Sequence, residues 1–235
     1  MKFLNFDRVV ARLILLQRIE LAGPNLKKCR KLFGRYIFTN FISKFFVPIN
    51  DINQKYYSLM NNEYKMLSNN VNFENKKILS IGSGMGGLEI IINSRTKNSF
   101  FTIIEKDYIS KKIVYGWDEK NDEGYNSLDL MRKFIIKNGF KNNFEIYNYD
   151  KDSLPLKKFD YIISLFSMDY HYDFSSYLDY IKQVSTDETK IIFDTIRPDY
   201  FNSIFQNVKV LVSQENTVHR SKRIICNKFL TQECN

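Results

Sequence analysis

Helical hydrophobic spacing gives way to short apolar runs along the 235-residue chain, and the change divides it near residue 70. In residues 3–21, Phe6, Val9, Val10, Leu13 and Leu16 recur at helical spacing with charges between them, which predicts an amphipathic helix. Gly23-Pro24 breaks it. An aromatic-rich basic stretch over 26–46, ended by Pro48, predicts a second helix, and 51–69 a third. From Lys77 short apolar strands take over: Lys77–Ile81, Phe100–Glu105, Phe144–Tyr149, Tyr161–Phe166 and Lys190–Asp194. Helical segments over 87–93, 127–138 and 177–184 alternate with them. Such alternation predicts an α/β fold, a doubly wound parallel sheet with helices on both faces. The tail pattern differs, because Val208–Ser213 and Arg220–Lys228 predict two strands joined by a polar turn. The expected architecture is therefore a Rossmann-like sheet of about seven strands with an antiparallel C-terminal hairpin. A helical segment over residues 1–70 precedes it, and residues 71–235 form the sheet domain.

Charge sharpens that division. Residues 1–50 carry ten cations against Asp7 and Glu20, which is eight of the nine net positive charges of the chain. An acidic partner near these helices is one explanation (a phosphate, a nucleotide, a nucleic acid or a membrane surface), and a solvated helix face is the other. No run of 18 apolar residues appears, so no membrane span is expected. The patch Leu13–Leu16 lies between Arg12 and Arg18 and is too short for a signal peptide. Cys29, Cys226 and Cys234 are odd in number and have no metal-type spacing, which predicts no metal site and fits a reducing cytoplasm.

The strongest local signal is Ile78-Leu79-Ser80-Ile81-Gly82-Ser83-Gly84-Met85-Gly86-Gly87-Leu88-Glu89. An apolar strand enters four glycines within six residues, and a helix follows. Glycine is required where backbone turns tightly and approaches a ligand without a Cβ in the way, and amides at a helix start favour electron-rich groups. A purely structural turn would use the same residues. The spacing fits G-x-G-x-G better than the dinucleotide fingerprint G-x-G-x-x-G. It resembles motif I of the class I S-adenosylmethionine-dependent methyltransferases. This chain has Ser80 where that family usually places an acid for the methionine amine. Glu105, at the end of the next strand, is placed to accept both ribose hydroxyls, as in other doubly wound nucleotide folds. Asp150 follows the strand after that, where the family holds the adenine. The resemblance implies S-adenosylmethionine as cofactor, held by Ser80, Gly82, Ser83, Gly84, Gly86, Glu105, Lys106 and Asp150, with Ser164 and Phe166 from the fourth strand.

The chemistry is expected beyond that fourth strand, in Ser164-Leu165-Phe166-Ser167-Met168-Asp169-Tyr170-His171-Tyr172. Ligands of open α/β sheets bind outside the carboxyl ends of the strands. Of two histidines in the chain, His171 falls here and His219 in the predicted hairpin turn, where a surface role is expected. Methylating a hydroxyl requires loss of its proton, and imidazole titrates near neutrality; the alternative is a histidine that staples the loop. Asp169 would orient His171, bind substrate or cap a turn. Tyr170 completes the candidate catalytic set.

Ser164, Ser167, Tyr170, His171 and Tyr172, with Tyr177-Leu178 after them, resemble a group of sugar O-methyltransferases from bacterial polysaccharide biosynthesis. Tyr115-Gly116, Tyr125-Asn126-Ser127-Leu128, Asn138-Gly139, Asp160 and Asp194-Thr195-Ile196-Arg197 fit the same group. The resemblance covers roughly residues 77–228. The chain departs at Ser167-Met168-Asp169, where the group has Ser-Trp-Gly. The resemblance implies O-methylation of a sugar, or of a phosphorylated or nucleotide-linked precursor, in capsule or surface polysaccharide biosynthesis. Tyr125, Asn126, Ser167 and Tyr172 would meet that acceptor. The basic helices are read as a lid over an anionic small-molecule acceptor, or, alternatively, as a peripheral membrane contact made by the apolar face of residues 3–21.

Two rivals stay open. An N-methyltransferase or a nucleic-acid methyltransferase would use the basic region, although base-amino methylation commonly uses an Asp/Asn-Pro-Pro-aromatic motif and Ser167-Met168-Asp169-Tyr170 has no proline. No nucleic-acid module is visible, so no DNA or RNA partner is expected. A non-catalytic adenosylmethionine-binding scaffold is the other.

Overall fold

The computed structural model describes residues 4–110, 124–213 and 220–230, so Tyr115-Gly116, Cys234 and the predicted turn with His219 lie outside it. Seven strands form one sheet in the order β3-β2-β1-β4-β5-β7-β6. They are β1 (Lys77–Ile81), β2 (Phe100–Glu105), β3 (Phe144–Asn148), β4 (Tyr161–Ser164), β5 (Lys190–Thr195), β6 (Phe205–Ser213) and β7 (Lys222–Phe229). The first five pair in parallel, and β7 runs antiparallel between β5 and β6. The doubly wound sheet with its antiparallel hairpin is therefore present as the pattern predicts. The fourth strand is shorter than expected because Phe166 takes a left-handed backbone (φ 59°), which a strand cannot hold.

Alternation along the strands builds two cores. Ile78, Phe101, Ile103, Tyr161, Ile163 and Ile192 face one side of the sheet. There they meet α4 (Ile49–Ser68), α5 (Gly87–Arg95), α6 (Leu128–Lys137) and also α1 (Arg8–Gln17). Leu79, Ile81, Ile162, Ile191 and Phe193 face the other side, against α7 (Ser175–Val184), Phe201 and Phe205.

Helix α1 starts where the Asp7 carboxylate accepts the amides of Val9 and Val10, an N-cap. Its Leu13, Ile14 and Leu15 are fully buried in the first core. Most of the apolar face of this helix is therefore covered by protein, with Val9 left exposed, which argues against the lipid-facing alternative for it. The second helix also differs from its prediction. Pro24 opens α2 (Pro24–Ile37) at its first turn, but Gly34 breaks it with φ 78°, ψ 166°. The chain then passes through a π-helical turn, Phe38–Ile42, into the short α3 (Ser43–Phe45).

Ion pairing fastens the N-terminal helices to the far end of the sheet. Arg223 on β7 is fully buried and meets Asp194 on β5 and Glu63 on α4. Burial works against its charge, and the two carboxylates more than offset that, so the guanidinium stays protonated.

Candidate functional site

The glycine loop follows β1 because three of its residues need a left-handed backbone: Gly82, Gly84 and Gly86 have φ 68°, 62° and 76°. Close neighbours reinforce the requirement. A Cβ on Gly82 would lie 2.2 Å from Ser167 Oγ, one on Gly86 2.9 Å from Ile135, and one on Gly87 2.3 Å from the Tyr56 hydroxyl. The loop is thus gripped by the segment after β4, by α6 and by α4.

Glu105 closes the other side. Its carboxylate accepts the Gly84 amide at 2.7 Å and the Lys106 amide at 2.9 Å. Burial pushes this carboxyl up to about 7, against the pull of those two amides. Asn126, expected at the acceptor, is buried and donates to the Gly84 carbonyl at 2.7 Å. Tyr125 lies next to it, its carbonyl accepting from Gln17 Nε2 at 2.8 Å.

Lys106 and Asp150 come together at 3.7 Å, and the Lys106 ammonium stands over the Tyr172 ring at 5.1 Å and the Tyr149 ring at 5.9 Å. Asp150 itself is exposed, in the turn two residues past the end of β3. Tyr172 therefore sits beside Lys106 and Asp150.

The loop after β4 is a compact, pinned turn. The buried Ser164 hydroxyl accepts the Met168 amide at 2.9 Å, and Asp194 Oδ2 accepts the Phe166 amide at 3.2 Å. The backbone carbonyl of Ser167 takes the amides of Tyr170, His171 and Tyr172. Asp169 is buried and left-handed (φ 58°). Thr195 donates to its carboxylate, and Arg197 adds Nε–H···Oδ1 at 3.1 Å together with an Nη2 contact. Both Asp169 oxygens are committed to holding the loop. Tyr170 packs edge-on between Phe166 (5.5 Å) and His171 (5.1 Å). Burial, then the nearby Asp194 and Glu20 carboxylates, push its phenol up. His171 is exposed at the tip of the turn.

Three contributors escape a sequence reading. Gln17, the last residue of α1, holds its carboxamide oxygen 2.8 Å from where a Cβ on Gly84 would lie. Arg18 stacks over Phe166 at 4.7 Å and pairs with Glu20 at 3.5 Å. Glu89, on α5, is buried and accepts a short hydrogen bond from the Ser80 hydroxyl. Its Oε2 and the Ser83 hydroxyl are buried with no partner among the described residues. Burial pushes the Glu89 carboxyl up, with Ser80 pulling the other way. The signal for Glu89 was its place one turn into the helix after a glycine loop whose strand lacks an acid. Among the described residues, no group of three or more His, Cys, Asp or Glu side chains could hold a metal ion.

The sequence matches no protein-family model and no curated protein. The structure does have solved counterparts. A candidate O-methyltransferase from Nostoc punctiforme PCC 73102 is similar with TM-score 0.51 at 13% identity, over 93% of this chain and 71% of that one. The chain has the methyltransferase fold. The pyocyanin biosynthetic protein PhzM is similar with TM-score 0.51 at 10% identity, over 86% of this chain, which spans 60% of the length of PhzM.

Proposed function

We propose that the chain is an S-adenosylmethionine-dependent methyltransferase that methylates a hydroxyl of a small anionic acceptor. The observation that carries the cofactor is the left-handed glycine loop with the Glu105 carboxylate drawn onto the Gly84 amide. The remaining polar atoms fit the group. Glu105 takes the Gly84 and Lys106 amides and the Asn126 side chain, and its remaining lone pair is offered to a ribose hydroxyl. The Glu89 carboxyl, with an unpartnered buried oxygen, offers the methionine amine an acceptor beside Ser80. Lys106, Asp150 and Tyr172 offer a flat polar wall for the adenine.

Adenosylmethionine, when bound, supplies a methyl group on a sulfonium that leaves as a neutral thioether. The protein is left with alignment and a proton. Alignment is worth several kcal/mol, roughly 7 or more in favourable cases, and the pinned loop between Phe166 and Tyr172 is built for it. Tyr170 keeps its own proton because its phenol is pushed up, so it orients rather than deprotonates. Asp169 holds Arg197 and Thr195 and is a positioning residue. His171 is left as the group that takes the acceptor's proton, an effect of about 10²–10⁴-fold. Arg18, stacked on Phe166 and paired with Glu20, would meet an anionic group on the acceptor.

The acceptor class, a sugar or a phosphorylated or nucleotide-linked precursor of a bacterial polysaccharide, rests on the resemblance of Ser164–Tyr172 and on Arg18. Incubation with methyl-labelled adenosylmethionine and pooled nucleotide sugars or phosphorylated sugars tests it. Label transfer to a hydroxyl, lost in His171→Ala in a pH-dependent way, supports the assignment. Cofactor binding with no transfer to any pool would leave a binding scaffold.

A further inference from the structure

The segment between Leu21 and Asn50 holds six cations and no carboxylate. In the fold this segment also shows the largest run of uncovered aromatic surface among the described residues. Leu32 is 78% exposed, and Phe33, Tyr36, Phe41, Phe45 and Phe46 are all more than half exposed. One face of the turn is anchored: Phe38, Thr39, Ile42 and Ser43 are buried. Arg8 donates to the Phe45 carbonyl at 2.7 Å, and Arg12 to Ser43 Oγ at 3.2 Å and the Thr39 carbonyl at 3.3 Å. The opposite face points away from the protein. There Phe41 lies 5.2 Å from Phe45 and 6.1 Å from Phe46, ring centre to ring centre. The break at Gly34 joins this aromatic cluster to the lysine-bearing helix before it, where Lys27, Lys28 and Lys31 are exposed.

We infer that residues 24–46 form a docking surface for an anionic lipid bilayer, with the aromatic rings seated among the headgroups and the lysines on lipid phosphates and carboxylates. Soluble monomers rarely expose a contiguous apolar patch of this kind without a partner. Aromatic anchors beside Lys and Arg on an amphipathic helix are the composition of interfacial segments. Charge selects the occupant. A second copy of the chain would meet this face through a two-fold interface and set each lysine against a like-charged patch with no acid to relieve it. An anionic bilayer presents the complementary sign. No helix among the described residues is long and apolar enough to cross a membrane, so the contact is peripheral. The bilayer contact does not rest on the activity proposed above.

Flotation of the full chain with vesicles of phosphatidylcholine, alone or mixed with phosphatidylserine, tests the assignment. Strong binding is expected only with phosphatidylserine. Replacing Lys27, Lys28 and Lys31 by Gln should weaken it by about fivefold per lysine. The triple change Phe41→Ser, Phe45→Ser, Phe46→Ser should also release the protein, while both variants keep wild-type thermal unfolding and adenosylmethionine affinity. Absence of binding to phosphatidylserine vesicles would overturn the proposal, as would binding that the phenylalanine variant retains. A dimer in sedimentation equilibrium that the same substitutions dissolve would assign the face to a second copy instead.

Discussion

Arg223 and Asp194 form a doubly hydrogen-bonded pair with no solvent exposure, Nε to Oδ1 at 3.1 Å and Nη2 to Oδ2 at 3.0 Å. The same Oδ2 accepts the amide of Phe166, and the other end of the guanidinium meets Glu63 on α4. One buried cation thus ties the N-terminal helices, the sheet and the loop after β4. Burial pushes the Asp194 carboxyl up even with Arg223 beside it, so removing the cation strands two carboxyl groups in the core. Arg223→Ala should cost about 3–5 kcal/mol of stability, read as a lower urea midpoint.

The steric coupling of Gly82 to Ser167 is open to a double-mutant cycle. Gly82→Ala places a methyl against Ser167 Oγ and Cβ at 2.2 and 2.4 Å and forces alanine to φ 68°. The strained backbone alone costs about 1–3 kcal/mol. Ser167→Gly removes the clash but not the strain, so the double variant should recover part of the loss in stability. Strict additivity of the two changes would show that the side chains do not touch.

Much of this was legible in the chain because it is local. Helical spacing marked the first helix and short apolar runs marked the strands, and β1 and β2 coincide with two of those runs. The glycine loop and Glu105 could be found by spacing, since backbone conformation and strand ends follow directly from neighbouring residues. What stayed hidden depends on contacts distant in sequence. Glu89 reaches Ser80 only once α5 packs on β1, Gln17 meets Gly84 across the fold, and Arg223 finds Glu63 160 positions away. Asn126 looks like an acceptor-side residue in the sequence, yet its amide is used to hold the Gly84 carbonyl. The apolar face of residues 3–21 fits either a bilayer or a core, and only packing decides between them.

Deletion of residues 1–50 follows from that packing. Leu13, Ile14 and Leu15 are fully buried in one core with Ile90, Ile91 and Ile92 of α5. Losing even a few such side chains, at about 2–5 kcal/mol each, is comparable to the roughly 5–15 kcal/mol that holds a domain. The truncated chain should show no cooperative thermal transition by circular dichroism. A sharp transition would establish the helices as a detachable lid.

Glu105 gives a pH dependence with a definite sign. Its carboxyl moves from 4.5 to about 7 on folding, chiefly through burial. Between those values the folded chain holds a proton that the unfolded chain has released, so stability falls as pH rises. The contribution is fully present below pH 4.5 and lost as pH passes 7. In urea titrations Glu105→Gln should gain on wild type between pH 5 and pH 8. A constant difference would mean that the carboxyl is not perturbed.

The most direct test of the account is calorimetric titration of adenosylmethionine into the wild-type chain and into Glu105→Ala at pH 8, where the Glu105 carboxyl is ionised. Removing a carboxylate that accepts hydroxyl hydrogen bonds costs about 1.5–3 kcal/mol. The account predicts a single site in the wild type and an affinity lower by about ten- to a hundred-fold in the variant. Absence of binding to the wild type, or equal affinity in the two proteins, would contradict it.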